Sequence, residues 1–261
     1  MKVFVNTSCA NVYRLPTFHS ETDTQVVLWE ELEVLDEQTD FYRVLTEDHY
    51  EGWINRHQVV PRLNMMKSNF RMITRREISF FDEPSCDSQP IRDGAAGAFI
   101  PVYRQENQWL LTRFPDNQWA WLEEEGVRAL PSLSREAMMQ VARSYLGIPY
   151  LWGGKTSKGL DCSGFVQLLH KLFGVALRRD AWMQFEDARH ISYNPFDGAP
   201  GDLVFFSENR QRITHVGFCL GDGEVIHARG LVRINSLRMD DPDFSESLFR
   251  TFVEIRSTFP V

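Results

Sequence analysis

The chain changes its hydrophobic pattern once, near residue 131, and this change limits the fold more than any other feature. Before it, apolar and aromatic residues come in short runs separated by polar turns: Gln25–Trp29, Glu33–Leu35, Phe41–Leu45, Gly52–Ile54, Ala98–Val102, Trp109–Thr112 and Trp119–Leu122. Runs of about five residues with turns between them predict small antiparallel barrels. Phe41-Tyr-Arg-Val-Leu followed by Gly52-Trp-Ile is echoed by Gln108-Trp-Leu-Leu-Thr followed by Trp119-Ala-Trp-Leu. That half therefore reads as two barrels, 1–61 and 62–130, repeating at about 60–65 residues and joined near Pro61–Arg62.

From 131 to 261 the period becomes helical, and a third domain is expected. Ser134 is placed to cap a helix carrying Ala137, Val141 and Tyr145 on one side, with Gly147 and Pro149 closing it. A second helix fits Cys162–Phe173, with Asp161 as N-cap and Gly174 at its end. Strands follow at Asp202–Phe206, Thr214–Leu220 and Glu224–His227, the last two joined through Gly221-Asp222-Gly223. Helices first and an antiparallel sheet afterwards make this an α+β domain.

Composition narrows the function. A net charge of -8 without a dense Lys/Arg block disfavours nucleic acid and suits a substrate bearing a positive group. No stretch reaches the roughly 20 apolar residues that cross a bilayer. The opening MKVFVNTSCANVYRL lacks the apolar core of about 7–15 residues of a signal peptide, so a cytoplasmic protein is expected, with no membrane partner and a monomeric state. Cys9, Cys86, Cys162 and Cys219 are spaced for neither a disulfide framework nor a zinc knuckle. No metal or other cofactor is expected.

Cys162 falls in the first turn of its predicted helix, after the Gly-rich stretch Trp152-Gly-Gly-Lys. There the unpaired N–H groups and the macrodipole favour a thiolate, lowering the thiol from its usual value of about 8.5. The same donors can hold the oxyanion of acyl transfer. Ser163-Gly164 is small enough for a substrate backbone to come close. A thiol nucleophile needs a base and a group to orient it. His215 opens one apolar strand and His227 lies on its partner, so pairing could let His227 fix the ring and tautomer of His215.

Leu160-Asp-Cys-Ser-Gly-Phe, Pro149-Tyr-Leu-Trp-Gly-Gly, Gly201-Asp-Leu-Val-Phe-Phe and Thr214-His-Val-Gly resemble, in order and spacing, the NlpC family of papain-like cell-wall cysteine peptidases. Upstream, Cys9-Ala-Asn-Val-Tyr-Arg-Leu-Pro-Thr-Phe-His-Ser-Glu, Thr24-Gln25 and Tyr50-Glu-Gly-Trp resemble the first of two bacterial SH3-like domains in one branch, the γ-D-glutamyl-L-diamino acid endopeptidases. The fold this implies is a papain-like α+β domain behind two SH3-like barrels.

The resemblance also implies a substrate, a murein peptide L-Ala-γ-D-Glu-diamino acid with a free amine, cut after γ-D-Glu during wall-peptide recycling. Cys162 would attack, His215 would transfer the proton and His227 would complete the set. Tyr150 would help at the oxyanion with Trp152 beside it on the substrate side, and Asp161 and Ser163 would hold the γ-D-Glu part. Asp180, in Arg179-Asp-Ala-Trp-Met-Gln, would meet the ammonium together with Tyr50 and either Glu21 or Glu30; Ala181 stands where the family often has Ser. Three alternatives remain at this point: a secreted hydrolase of intact wall anchored by its SH3-like domains, a non-catalytic binding protein, and a zinc site from Cys162, Cys219, His215 and His227.

Overall fold

Strand alternation builds the first half of the chain. Along Cys9–Tyr13, Ala10 and Val12 turn inward while their neighbours stay half-buried, the period-two pattern of a one-sided sheet. In the computed structural model, which describes residues 1–61, 69–128 and 133–259, the chain forms two compact units, Met1–Pro131 and Ser132–Val261. The junctions expected at 61/62 and 130/131 involve residues outside those described.

In the first unit, residues 2–61 supply a seven-stranded antiparallel sheet around Val3, Val5, Val12, Val26, Leu32, Val44 and Ile54. Residues 69–128 form a five-stranded and a three-stranded sheet. Phe41–Leu45 pairs with Glu51–Asn55 as Trp109–Arg113 pairs with Trp119–Glu123, and each pair leads into a 3-10 turn and a short strand. Left-handed backbone recurs at matching places (Trp29 and Gly97, Thr39 and Asn107, His49 and Asn117), a constant offset of 68 residues. The period is thus longer than the sequence echo implied. The strand expected at Gln25–Trp29 begins three residues earlier, spanning Thr22–Val27, and stops before Trp29, which takes a positive φ of 69° in the turn. One apolar cluster joins Phe4, Leu28 and Trp29 to Ile73, Phe80, Ile100 and Phe114, so the two strand-rich halves share a core.

In the second unit, four helices are α1 (Arg135–Ser144), α2 (Cys162–Leu172), α3 (Ala181–Asp187) and α4 (Glu246–Thr251). Among the described residues, besides a two-stranded ladder of 155–156 with 159–160, six strands are β1 (Arg189–Ser192), β2 (Leu203–Phe206), β3 (His215–Gly221), β4 (Glu224–Arg229), β5 (Leu231–Ser236) and β6 (Phe252–Ser257). They form one antiparallel sheet in the order β1-β6-β2-β3-β4-β5. Every residue of α2 except Lys171 is buried, as befits a helix enclosed on all sides. Phe165 meets Phe218 of β3 edge-on at 5.8 Å, and the His170 ring stacks on the same phenyl at 5.6 Å. Helix α1 is capped by Ser134 as expected and Tyr145 at its end is buried, but within the helix Met138, Met139 and Ala142 are buried while Ala137 and Val141 are half-buried. The two methionines fill the face.

Among the described residues no helix is long and apolar enough to cross a membrane.

Candidate active site

The helix that carries Cys162 begins where a charged cap and a glycine loop meet. Asp161 Oδ1 accepts the Gly164 N–H at 2.6 Å, so this side chain caps α2. Its other oxygen takes the Gly153 N–H at 2.9 Å. Arg179, 1% exposed, closes the network with Nη2 2.5 Å from Asp161 Oδ2 and Nη1 2.9 Å from Ser163 Oγ. Gln184 of α3 donates to the Ser163 carbonyl at 3.0 Å. The side chains of Asp161 and Ser163 thus build the loop that carries the start of α2.

The glycines have a structural cause as well. A Cβ on Gly164 would sit 2.1 Å from the Gly154 carbonyl oxygen, and one on Gly154 would sit 2.3 Å from that of Gly159. Gly164 is thus required because another backbone segment occupies the space a side chain would need.

On the facing sheet, β3 and β4 bring the two histidines together. A Cβ on Gly217 would lie 2.8 Å from His227 Cβ, so only a glycine two residues after His215 lets the partner strand approach. His215 Nε2 is 2.8 Å from His227 Nδ1, and His227 Nε2 is 3.1 Å from Asn235 Oδ1. Asn235 Nδ2 donates to the Asp243 carbonyl at 3.2 Å, which fixes the amide's orientation. Its oxygen therefore faces His227, which must donate from Nε2 and accept at Nδ1. His215 then donates from Nε2, and its Nδ1 is left as the basic nitrogen. Sequence spacing gave no hint of Asn235.

Cys162, 8% exposed, and half-buried His215 line one cleft of about 420 Å³ together with Tyr150, Trp152, Phe206, Glu208, Thr214, Ala228, Arg229, Gly230, Ser247, Leu248 and Thr251. The backbone N–H groups of Val216 and Ser163 point at the Cys162 sulfur. The two side chains on which the sequence reading depended are thus held at the same opening.

The electrostatics differ from the helix-start expectation. Burial, reinforced by Asp161, pushes the Cys162 thiol up to about 12. Burial, with His227 and Arg229 adding to it, pushes His215 well below 6.5. Each group ionised alone is penalised, but a thiolate formed together with an imidazolium compensates its charge, and the helix mouth favours that pair. Burial moves His227 down to about 4, so it acts as a neutral hydrogen-bond acceptor. The Tyr150 hydroxyl is pushed up by burial, then by Cys162 and Asp161, and keeps its proton as a donor. A protected thiol, an oriented imidazole and a phenol at one opening can carry out acyl transfer.

Replacing Asn235 by leucine removes the acceptor that sets both histidine tautomers. The expected result is a fall in kcat of up to roughly 100-fold with KM little changed, read from steady-state kinetics of peptide cleavage.

The remaining expected residues each sit in a local network. Half-buried Asp180 stands before α3 without capping it, and accepts the Trp182 indole N–H at 3.1 Å. In the first unit Tyr50 is half-buried, and exposed Glu21 pairs with Arg14 at 2.5 Å. Glu30 is buried, with one oxygen accepting the Val27 N–H at 3.2 Å. Cys219 is buried and donates toward the Gly198 carbonyl. Among the described residues no group of three His, Cys, Asp or Glu side chains could hold a metal, which leaves the zinc alternative without a ligand set.

Comparison with known proteins agrees with this geometry. Residues 147–251 match the NlpC/P60 family, and residues 12–59 match the bacterial dipeptidyl-peptidase Sh3 domain. A γ-D-glutamyl-L-lysine dipeptidyl-peptidase of Bacillus cereus (strain ATCC 10987 / NRS 248) is 24% identical over 247 residues, covering 87% of this chain and 73% of that protein. Dipeptidyl-peptidase 6 of Lysinibacillus sphaericus is 26% identical over 282 residues, covering 99% of this chain and all (100%) of that one. The crystal structure of an NlpC/P60 family protein from Bacillus cereus ATCC 10987 superimposes with a TM-score of 0.86 at 21% identity, covering 100% of both chains, a likeness of fold. With a cysteine and a histidine at one cleft on the segment that matches, this chain carries an NlpC/P60 cysteine peptidase domain, with a bacterial SH3-type domain ahead of it in sequence.

Proposed function

We propose that this protein hydrolyses peptidoglycan-derived peptides at the bond between γ-D-glutamate and a diamino acid, acting on cytoplasmic peptides whose N-terminal L-Ala is free. The observation that carries the chemistry is the shared cleft of Cys162 and His215, with His215 Nε2 bound to His227 Nδ1 at 2.8 Å. The name of the Bacillus cereus relative, a γ-D-glutamyl-L-lysine dipeptidyl-peptidase, supports the bond, and that of the Lysinibacillus relative supports a dipeptidyl-peptidase.

In this reading Cys162 Sγ attacks the γ-glutamyl carbonyl while its proton passes to His215 Nδ1. The oxyanion meets the Cys162 N–H, one of the first-turn donors that the helix itself cannot pair, and the Tyr150 hydroxyl. The imidazolium returns the proton to the leaving amine of the diamino acid. Water then attacks the acyl-enzyme, giving its proton to His215, and the thiol is restored as L-Ala-γ-D-Glu departs. Asp180 supplies a carboxylate for the substrate ammonium, an interaction lost when that amine is acylated by a sugar.

The test is mass spectrometry of products from the free tripeptide and from polymeric peptidoglycan, side by side. Release of intact L-Ala-γ-D-Glu from the tripeptide alone is expected. Comparable rates on both would defeat the free-amine requirement.

The pH profile provides a separate check. His215 lies well below 6.5, so it is deprotonated and able to accept a proton through mildly acidic conditions, and activity is lost only once pH falls through that lowered value. Cys162 lies above its ordinary value of 9.0, so removal of both protons occurs only on the alkaline side. Because the pair titrates as a unit, these limits hold whether the single remaining proton rests on sulfur or nitrogen. The expected kcat/KM profile is a broad bell with its acid limb below 6.5 and its alkaline limb above 9.0. A narrow optimum centred near either value would contradict it.

A further inference from the structure

Two opposite charges in the cleft have no ion-pair partner among the described residues. Arg229 is the last residue of β4, two positions after His227, so strand alternation places both side chains on one face. Its guanidinium donates to the Ser247 hydroxyl of α4 at 3.0 Å, a neutral partner that positions the group and leaves its charge uncompensated. It has no ion-pair partner among the described residues, and its positive charge is felt by both histidines. Glu208, in the loop after β2, lines the same cleft, is exposed, and also lacks an ion-pair partner among the described residues. The two charges therefore do not neutralise each other across the opening.

What sets these two apart is their place in the cleft; elsewhere in this domain Arg178 pairs with Glu186 and Asp187, and Arg135 with Asp202. An unpaired cation and an unpaired anion, both beside the nucleophile, form a receptor for a group that carries both signs itself. The leaving residue of the proposed reaction is such a group. Its α-carboxylate is free when it ends the peptide, and its side chain ends in an ammonium.

We infer that Arg229 and Glu208 form the leaving-group subsite, Arg229 taking the terminal carboxylate and Glu208 the side-chain ammonium of the diamino acid. This rests on the proposed function and adds what that reading leaves open, namely why a diamino acid and why a peptide that ends there. Arg suits the carboxylate because its planar fork can donate two parallel hydrogen bonds, and Ser247 holds the fork in place.

The experiment measures kcat/KM for three peptides: L-Ala-γ-D-Glu-L-Lys, the same peptide with norleucine in place of lysine, and the lysine peptide as its C-terminal amide. The parent protein is expected to favour the lysine peptide over each of the others by roughly tenfold, the scale of a hydrogen-bonded charge pair in a partly desolvated cleft. Glu208→Gln should bring the lysine-to-norleucine ratio to near one while keeping the acid-to-amide preference. Arg229→Gln should do the converse. Each ratio is taken within one protein, so a general loss of folded enzyme cancels. Cleavage of all three peptides with ratios that neither substitution moves would overturn the subsite and leave the proposed reaction standing. Cleavage of none by the parent protein would overturn both.

Discussion

Cys162→Ala is expected to lower peptide hydrolysis by roughly ten-thousandfold or more, with the fold intact. The proposed reaction passes through a thioester, and alanine leaves nothing to form one. What surrounds position 162 does not depend on its sulfur: Asp161 still caps α2 through the Gly164 N–H, and Arg179 still closes the loop from the other side. Thermal unfolding should therefore be close to that of the parent. Product analysis by mass spectrometry checks the activity, and an Ala variant that still releases L-Ala-γ-D-Glu at a measurable fraction of the parent rate would remove Cys162 from the mechanism.

Arg179→Met should have the largest effect on stability. The guanidinium is 1% exposed and sits 2.5 Å from a carboxylate that is itself buried. Removing one partner of such a pair leaves the other charge in a poorly solvating interior, at a cost of about 3–5 kcal/mol. Ser163 Oγ loses its donor at the same time. The expected result is a large fall in the urea midpoint of the transition of the unit Ser132–Val261. Because Asp161 both caps the helix and receives Arg179, activity should fall at temperatures where the protein is still folded, as the mouth of α2 loses its fixed geometry. A midpoint within experimental error of the parent would show that Gly153 and Gly164 suffice to hold the carboxylate. Asp161→Asn with Arg179→Met should recover part of the loss, since no net charge is then left buried.

The two predictions differ in where their information lies. Cys162 could be singled out from its neighbours in the chain, because an Asp before a helix start and glycines ahead of it are local signals. Arg179 lies 18 positions from Asp161, and nothing in its own segment announces that it would be buried.

The other elements follow the same division. The strand Phe41–Leu45, the Asp161 cap and the hairpin through Gly221-Asp222-Gly223 were legible because period, cap chemistry and turn residues act over a few positions. Strands such as Lys2–Val5 and Phe252–Ser257 are not legible along the chain, since their pairing partners rather than their own pattern define them. On α1 the pattern marks buried Tyr145 but not Met138 and Met139, which are flexible enough to fill whatever gap the packing leaves.

In the site, the sequence by itself determined the nucleophile, its base and the histidine behind the base as candidates, through residue type, order and spacing. Only the tertiary structure supplied Asn235, the inward use of Asp161 and Ser163, and the unpaired charges of Glu208 and Arg229. It also reversed the expected direction for the thiol, which burial raises although the helix start alone would lower it. Caps and periodicities are short-range and can be read along the chain. Desolvation and charge pairing depend on every group within several ångströms, and those groups come together only when distant segments fold onto one another.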